Sequence, residues 1–190
     1  IDPRTGTAAS YSITYVTNTS LPFQRRDSSN RVISTTAYDG AGRPTFVQDA
    51  EFRTARTAYN ARGQVEYSWG SAGYPISYGY DPYGQMTFQR TYRDPNNTVA
   101  NFWETTSWPG AGVVAQETEW QYDDYSGLLR RKYDPTRQYI EYSYNERGQT
   151  TTRSWARTFN GSRVTTYYNY FVGSGEPRSI TYNDTTPTIS

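Results

Sequence analysis

Apolar and polar residues alternate with a period of two along most of the chain. Val65, Tyr67 and Trp69 fall on one side of their segment, with polar or small residues between them. The same alternation recurs at Tyr74, Ile76, Tyr78 and Tyr80, at Ile140, Tyr142 and Tyr144, and at Val164, Thr166, Tyr168 and Tyr170. No window shows the i, i+3, i+4, i+7 apolar stripe of a helix. The pattern therefore predicts strands separated by turns along the chain.

A short motif divides these strands at a fixed interval. "YDGAGR" begins at Tyr38, "YNARGQ" at Tyr59 and "YDPYGQ" at Tyr80, each 21 residues after the last. The motif returns in "YDDYSG" at Tyr122 and "YNERGQ" at Tyr144, so that one unit near "NFWETT" is degenerate. Weaker echoes occur at half the period, in "YRDPNN" and "YDPTR". Copies of the motif at intervals of about 21 residues, or twice that, argue against chance recurrence and indicate a repeat architecture.

Turn chemistry explains the motif. The Asp or Asn side chain is expected to accept the backbone N–H two residues on, as in an Asx-turn. The Gly that follows is expected in the left-handed position of a type I turn with a bulge. The motif residues are Tyr38, Asp39, Gly42, Tyr59, Asn60, Gly63, Tyr80, Asp81, Gly84, Tyr122, Asp123, Gly127, Tyr144, Asn145 and Gly148. Each unit then contains two strands, this tight turn and a looser turn such as "QDAEF" or "WGSAGY". We also expect the motif tyrosines to form an aromatic ladder across the strands.

Composition supports a sheet and excludes several kinds of site. Hydrophobic residues make up 34% of the chain and half of these are aromatic, with 20 Tyr. Cys and His are both absent, which removes disulfides, thiolate nucleophiles and the commonest metal ligand. The net charge of +1 gives no bulk electrostatic case for nucleic acid. Lys132 is the only lysine, so the positive charge is almost entirely arginine, which stacks on tyrosine faces and pairs with carboxylates.

The repeats set the expected organisation of the chain. Residues 1–33 read as an irregular leading segment with one strand, "SYSITYV", followed by a loop or a degraded unit. Residues 34–182 form the hairpin array, and residues 183–190 form a tail expected to be poorly ordered. The array is read as one continuous repeat domain. We also read the chain as a processed product or an excised piece of a longer one, with no apolar run long enough for a membrane span.

The phased motifs resemble the YD repeat, also called the RHS repeat, over roughly residues 34–182. The segment "YIEYSYNERGQ" is similar to the typical second half of that repeat. The resemblance implies an all-β fold of antiparallel hairpins in a curved or spiralling sheet, part of a shell or tube. In bacterial insecticidal toxin complexes and RHS polymorphic toxins such a shell encloses a toxic polypeptide, and teneurins carry a similar shell. The chain departs from the family in being short and in lacking its C-terminal core signature.

Other chemistry is less well supported by the sequence. Glu117 with Glu119, and Asp123 with Asp124, are the candidate paired carboxylates of a glycosidase, but they read as strand-face and turn residues. The Tyr and Trp stripes are cross-strand ladders, a carbohydrate-binding platform or a base-stacking surface, and their regular placement favours ladders. Sequons occur at Asn18, Asn96, Asn160 and Asn183, in a chain where Thr and Ser are abundant.

These patterns favour a structural role without catalysis, cofactor or metal. The leading interpretation is a YD-repeat shell segment of a secreted or surface-exposed bacterial protein that encapsulates or presents a toxin or effector. Its partners would be the rest of a longer shell or copies of itself through the sheet edges, with an enclosed polypeptide as cargo. The alternatives are a self-assembling extracellular tube or fibre and an adhesion or carbohydrate-binding module. The sequence does not say which sheet face points inward.

Overall fold

The structure is a computed structural model that describes residues 10–93, 105, 106, 108 and 114–189. The described residues form fourteen β-strands and no helix. The strands are β1 (Tyr11–Tyr15), β2 (Pro22–Asp27), β3 (Val32–Tyr38), β4 (Pro44–Asp49), β5 (Thr54–Tyr59), β6 (Val65–Trp69), β7 (Ile76–Tyr80), β8 (Met86–Tyr92), β9 (Ala115–Tyr122), β10 (Leu129–Tyr133), β11 (Tyr139–Tyr144), β12 (Thr150–Phe159), β13 (Ser162–Tyr170) and β14 (Pro177–Tyr182). The all-β prediction is confirmed. In this part of the chain there is also no helix long and apolar enough to cross a membrane.

The strands pair in chain order, from β1 to β14, in one antiparallel open sheet. Each strand is therefore hydrogen-bonded to its neighbours in sequence, as predicted for a series of hairpins. The register shifts by one residue where β3, β5 and β11 end, at Tyr38, Tyr59 and Tyr144. A one-residue shift beside a tight turn is the bulge that the motif predicts.

Contacts between Cα atoms divide the chain into two compact units. Unit 1 contains Ile1–Tyr78 and Arg90–Ala115, and unit 2 contains Gly79–Gln89 and Gln116–Ser190. Each unit has its own small buried centre. In unit 2 the centre is Val164, with Thr165 and Thr166 beside it on β13.

An aromatic cluster forms the buried centre of unit 1. Trp69 is 8% exposed and Tyr92 is 7% exposed. The ring of Trp108 lies 5.8 Å from the Trp69 ring, 5.4 Å from the Tyr92 ring and 4.6 Å from the Tyr67 ring, measured between centroids. The indole N–H of Trp69 donates to the Thr105 carbonyl at 2.9 Å. The unit that the sequence marks as degenerate thus supplies a tryptophan that packs against the strands of regular units.

The sequence pattern predicts a loop or a degraded unit after Val16, and the structure has a strand there, since β2 occupies Pro22–Asp27 and pairs with both β1 and β3. The prediction for one of the looser turns needs correction. The "QDAEF" turn is not looser than the motif turns. Asp49 N–H donates to the Arg53 carbonyl at 3.0 Å, and Phe52 takes the left-handed position with φ 62°. The tight geometry was not predicted because the motif pattern requires Gly at the left-handed position, which Phe disfavours.

The other half-period turns share this geometry in part. Asn30 and Arg137 occupy the left-handed position after Asp27 and Asp134, with φ 63° and 64°. "WGSAGY" differs, because Ala72 N–H donates to the Thr54 carbonyl at 2.9 Å across the neighbouring strand. The tail also contacts the sheet, since Ile180 and Ile189 exchange two backbone hydrogen bonds of 2.7 and 3.0 Å. That pairing places Ile189 beside β14.

Candidate functional site

The repeat turns share one hydrogen-bond pattern. In the first motif, the Asp39 N–H donates to the Arg43 carbonyl at 2.9 Å and the Gly42 N–H donates to the Asp39 carbonyl at 3.0 Å. The Asp39 carboxylate accepts the N–H groups of Ala41 and Arg43, both at 2.9 Å. Gly42 has φ 77°, so a side chain there is strained. The turn is therefore held by its own Asp and Gly.

The other four motifs form equivalent turns. Asn60, Asp81 and Asn145 accept two backbone N–H groups at distances between 2.8 and 3.1 Å. Asp123 accepts the N–H groups of Tyr125 and Ser126 in a turn that is one residue longer. The glycines at 63, 84, 127 and 148 all have positive φ, between 69° and 90°. Asn replaces Asp without changing the turn, because the interaction needs one acceptor oxygen and no charge.

The carboxylates of Asp39, Asp49 and Asp123 have lowered pKa values. The backbone N–H of Arg43 and then its guanidinium hold the pKa of Asp39 below its ordinary value. Hydrogen bonds from the backbone and hydroxyl of Ser126 lower the pKa of Asp123. Desolvation raises the pKa of Asp49, but the backbone and side-chain hydrogen bonds from Arg53 outweigh it and the pKa is lowered. In each case a hydrogen bond to the charged form stabilises the ionised carboxylate.

The motif tyrosines connect successive turns through their hydroxyl groups. The bond is made by four motif tyrosines and by Tyr170 at the end of β13, and in each case the hydroxyl donates to the carbonyl oxygen of the first residue of the preceding strand. The pairs are Tyr38 to Pro22 at 2.8 Å, Tyr59 to Pro44 at 2.9 Å, Tyr122 to Met86 at 2.9 Å, Tyr144 to Leu129 at 2.8 Å and Tyr170 to Thr150 at 2.8 Å. Because neighbouring strands are antiparallel, the last residue of one strand lies beside the first residue of the preceding strand. The hydroxyl therefore links each turn to the turn before it.

Between Tyr38 and Tyr59 the structure differs from the aromatic ladder that we expected from the sequence. Among the described residues, the rings of Tyr38 and Tyr59 are not in contact with each other. A guanidinium lies on the second ring instead, with Cζ of Arg43 4.5 Å from the Tyr59 centroid. Tyr80 ends β7 at the equivalent position. Burial raises the pKa of the Tyr122 and Tyr144 hydroxyls, which are donors in these bonds.

The residue after the motif glycine provides a second link between turns. Gln85 donates its side-chain N–H to the Gly127 carbonyl at 2.8 Å, and Gln149 donates to the Gly175 carbonyl at 2.7 Å. Both acceptors are the left-handed glycines of the next turn along the edge. Arg or Gln follows the glycine in four copies of the motif, but the sequence alone did not predict that this residue bonds to the next turn.

The carboxylates considered for catalysis serve other interactions. Glu119 accepts from Gln121 at 2.8 Å and pairs with Arg137 at 2.6 Å, and these contacts lower its pKa against an opposing effect of desolvation. Glu117 lies 3.7 Å from Arg137. Asp123 caps its turn and Asp124 is exposed beside it. In the described part of the chain, His, Cys, Asp and Glu form no group of three that could hold a metal ion.

The sequons fall in different places. Asn183 uses its side chain within the sheet, accepting from the Thr165 N–H at 2.7 Å and donating to the Arg163 carbonyl at 2.8 Å. Asn160 has φ 50° in the Asn-Gly turn between β12 and β13. Asn18 is exposed. Asn96 lies outside the described residues.

The two faces of unit 2 differ in chemistry. Cross-strand partners share a face, and on one face these include Arg131 with Glu141, which pair at 2.7 Å. On the other face Lys132 lies between Trp120 and Ile140. Tyr side chains lie on both faces, but the carboxylate–arginine pairs lie mainly on the face that carries Arg131 and Glu141. This distinction depends on register, which the sequence pattern does not specify.

Fold and site together define an all-β scaffold of serial hairpins whose turns are coupled along a sheet edge. No protein-family model matches the sequence. No curated protein matches it either. The fold is similar to a chain in a structure of the Photorhabdus luminescens Tc holotoxin pore with a TccC3 mutation. That likeness has a TM-score of 0.62 and 16% identity and covers 90% of this chain and 9% of the other.

Two further structures are similar at a lower level. A TcdB2-TccC3 crystal structure matches with a TM-score of 0.44 and 15% identity, over 80% of this chain and 9% of that one. TcdB2-TccC3-TEV matches with a TM-score of 0.42 and 14% identity, over 92% and 10%. This chain therefore spans about a tenth of the length of the chains it resembles. The holotoxin likeness supports the fold.

Proposed function

We propose that this chain is a structural wall segment of the YD-repeat, or RHS-repeat, type. It forms part of a larger shell that encloses or presents a toxin or effector polypeptide. The observation that carries the proposal is the tyrosine hydroxyl bond that recurs at the ends of β3, β5, β9, β11 and β13. A catalytic or ligand-binding loop has no need of the same bond at each repeat, whereas a wall does.

A sheet of successive hairpins is stabilised mainly by contacts between one hairpin and the next. Each repeat contacts only adjacent repeats, so its stability depends on interface interactions that recur. The hydroxyl links and the Gln85 and Gln149 links are interactions of this kind. The similarity to a chain of the Tc holotoxin pore supports the same role. In this role the protein has no catalytic activity and is secreted or displayed at a bacterial cell surface.

Protease protection in the complete parent chain tests the proposal. The open reading frame that contains this sequence is expressed whole, and the polypeptide that accompanies the repeats is also expressed alone. We expect the accompanying polypeptide to resist protease within the whole chain and to be degraded when alone. Equal rates of degradation in the two preparations would contradict the enclosing role.

A self-assembling tube or fibre is the second candidate, and the first strand favours it. Tyr11, Ile13 and Tyr15 on β1 are exposed, and among the described residues β1 pairs only with β2. Exposed edge strands pair readily with other chains. At the other end of the sheet, Ile189 already pairs with Ile180 of β14. Light scattering separates the candidates, because a fibre gives polydisperse high mass and a stable monomer counts against self-assembly.

An adhesion or carbohydrate-binding module is the third candidate. Tyr83 and Tyr125 at the motif turns are 88% and 99% exposed, and exposed rings are available to stack on sugars. Glycan-array binding that disappears in Tyr125→Ala would support this candidate. Absence of binding to any glycan would eliminate it.

A further inference from the structure

An open pocket of about 400 Å³ lies on the sheet in unit 1, near the aromatic cluster. Phe46, Arg56 and Trp69 line it from three neighbouring strands. They are cross-strand partners in one row, since Arg56 is opposite Phe46 on β4 and opposite Trp69 on β6. The rest of the lining is Ala37, Thr45, Thr57 and Thr106. The pocket thus combines aromatic surfaces with one guanidinium group.

Arg56 differs from most of the other arginines in having no polar partner among the described residues. Arg43 and Arg53 pair with the Asp of their own turns at 2.7 Å, and Arg131 pairs with Glu141 at the same distance. The Arg56 guanidinium contacts only a ring, with Cζ 4.6 Å from the Phe46 centroid. Its Nε is buried and has no hydrogen-bond acceptor. Arg56 is also the only charged residue among those described that line the pocket.

An unpaired buried donor is unfavourable for the free protein. A buried N–H without an acceptor destabilises the folded state by roughly 1–3 kcal/mol. Stacking of the guanidinium on Phe46 offsets part of this destabilisation, because a cation over an aromatic face is attracted by the ring. Proteins with a neutral apolar residue at this position would avoid the unfavourable term. The Arg56 guanidinium lines the pocket and is available to an anionic ligand that enters it.

We propose that this pocket binds a carboxylate carried on an apolar or aromatic group. The planar guanidinium matches a carboxylate in shape and charge, and its two Nη groups are the donors left for a ligand once Nε is buried. The aromatic surfaces of Phe46 and Trp69 accommodate the apolar part of the same ligand. A dianionic phosphate is a poorer match, because the described lining offers a single positive charge. The volume falls within the usual range for small-ligand sites.

The carboxylate has two possible sources, a free organic acid or a Glu or Asp side chain of a polypeptide. Titration by NMR distinguishes them, with the Trp69 indole N–H and the Arg56 side-chain N–H as reporters within the pocket. The probes are sodium benzoate, its neutral analogue benzamide, and a blocked short peptide with a central glutamate or, as control, glutamine. We expect benzoate or the glutamate peptide to shift both reporters at millimolar concentration, and the neutral analogues to bind at least about tenfold more weakly.

Substitutions locate the interaction. Arg56→Gln is expected to weaken binding by at least about tenfold, which is the loss of one charge-assisted pair. Arg153→Gln is the matched control, because Arg153 also stacks on a ring, Trp155 at 3.9 Å, and has a buried Nε without an acceptor. It lies in unit 2 and is expected to leave the titration of the Trp69 reporter unchanged.

Each outcome decides the proposal. Binding by the peptide alone identifies a polypeptide side chain as the ligand, and binding by benzoate alone identifies an organic acid. The proposal is overturned if neither probe shifts the reporters, if benzamide binds as well as benzoate, or if Arg56→Gln binds like the parent. Circular dichroism of Arg56→Gln shows whether the variant keeps the fold. The inference does not depend on the shell function, so protease protection in the parent chain is a separate result.

Discussion

The left-handed glycine of the first motif allows the turn to be tested with two chemically identical substitutions. Gly42 has φ 77°, and a Cβ added there would meet only the Leu21 methyl groups at 3.7 and 3.8 Å, an ordinary contact. Gly40 lies two residues earlier in the same turn, has no positive φ and has open space at its Cβ position. Gly42→Ala therefore introduces backbone strain without a clash, and Gly40→Ala introduces neither.

The magnitude follows from two terms. Ala in the left-handed region is strained by about 1–2 kcal/mol. Replacing Gly by Ala also restricts the unfolded chain and stabilises the folded state by about 0.4–1 kcal/mol. The second term is common to both variants, so the difference between their unfolding free energies isolates the strain, about 1–2 kcal/mol. We expect Gly42→Ala to be less stable than the parent by about 1 kcal/mol and Gly40→Ala to be slightly more stable.

Urea denaturation followed by tryptophan fluorescence measures both variants, because Trp69 is buried in the same unit as the turn. The slope of the unfolding free energy against urea concentration should be the same in both variants and the parent, so that a shift in the midpoint reports a change in stability. Equal stabilities for the two variants would refute the assignment of Gly42 to a strained position. A larger loss in Gly40→Ala than in Gly42→Ala would refute the turn geometry itself.

Three further predictions concern other parts of the scaffold. Tyr59→Phe removes the hydroxyl that links two turns and should lower the unfolding free energy by about 0.5–1.5 kcal/mol in urea denaturation. The pKa of Asp39 is lowered in the folded state, so its stabilising effect is present above the unfolded pKa and is lost as pH falls through the folded pKa. Stability should therefore be level near neutral pH and decline below about pH 4, with a smaller decline in Asp39→Asn. Trp108→Ala removes contacts with three rings and should cost about 2–4 kcal/mol in the same denaturation assay.

Each of these has a control and a contradicting result. Tyr83→Phe is the control for Tyr59→Phe, because Tyr83 is 88% exposed and should not respond. Equal effects of the two substitutions would show that the hydroxyl link is not stabilising. An acid transition identical in Asp39→Asn and the parent would remove Asp39 from the pH dependence. Val114→Ala, at a side chain 87% exposed, is the control for Trp108→Ala, and a Trp108→Ala midpoint equal to that of the parent would refute the aromatic cluster.

The sequence alone determined the strands and the motif turns of this protein. An Asp or Asn and a Gly three residues later specify a turn through bonds that span at most four residues, as between Asp39 and Arg43. Alternation with period two specifies a strand in the same local way, and Tyr38 ends β3 where the motif places it. Such features can be read from one segment at a time. For this reason the hairpin series was predictable without any knowledge of what packs against it.

Only the tertiary structure decided which distant residues meet. The Tyr59 hydroxyl reaches a carbonyl 15 residues back, and the Tyr122 hydroxyl reaches one 36 residues back, across a degenerate repeat. The turn at Phe52 was predicted to be looser than it is, because local context there imposes a left-handed conformation on a residue that disfavours it. The packing of Trp108 on Trp69 joins a residue outside the described strands to the sheet, and the row of Phe46, Arg56 and Trp69 depends on register between strands. Each hairpin turn fixes the register of its own two strands, but which side chains form a row across several strands depends on all of those registers together.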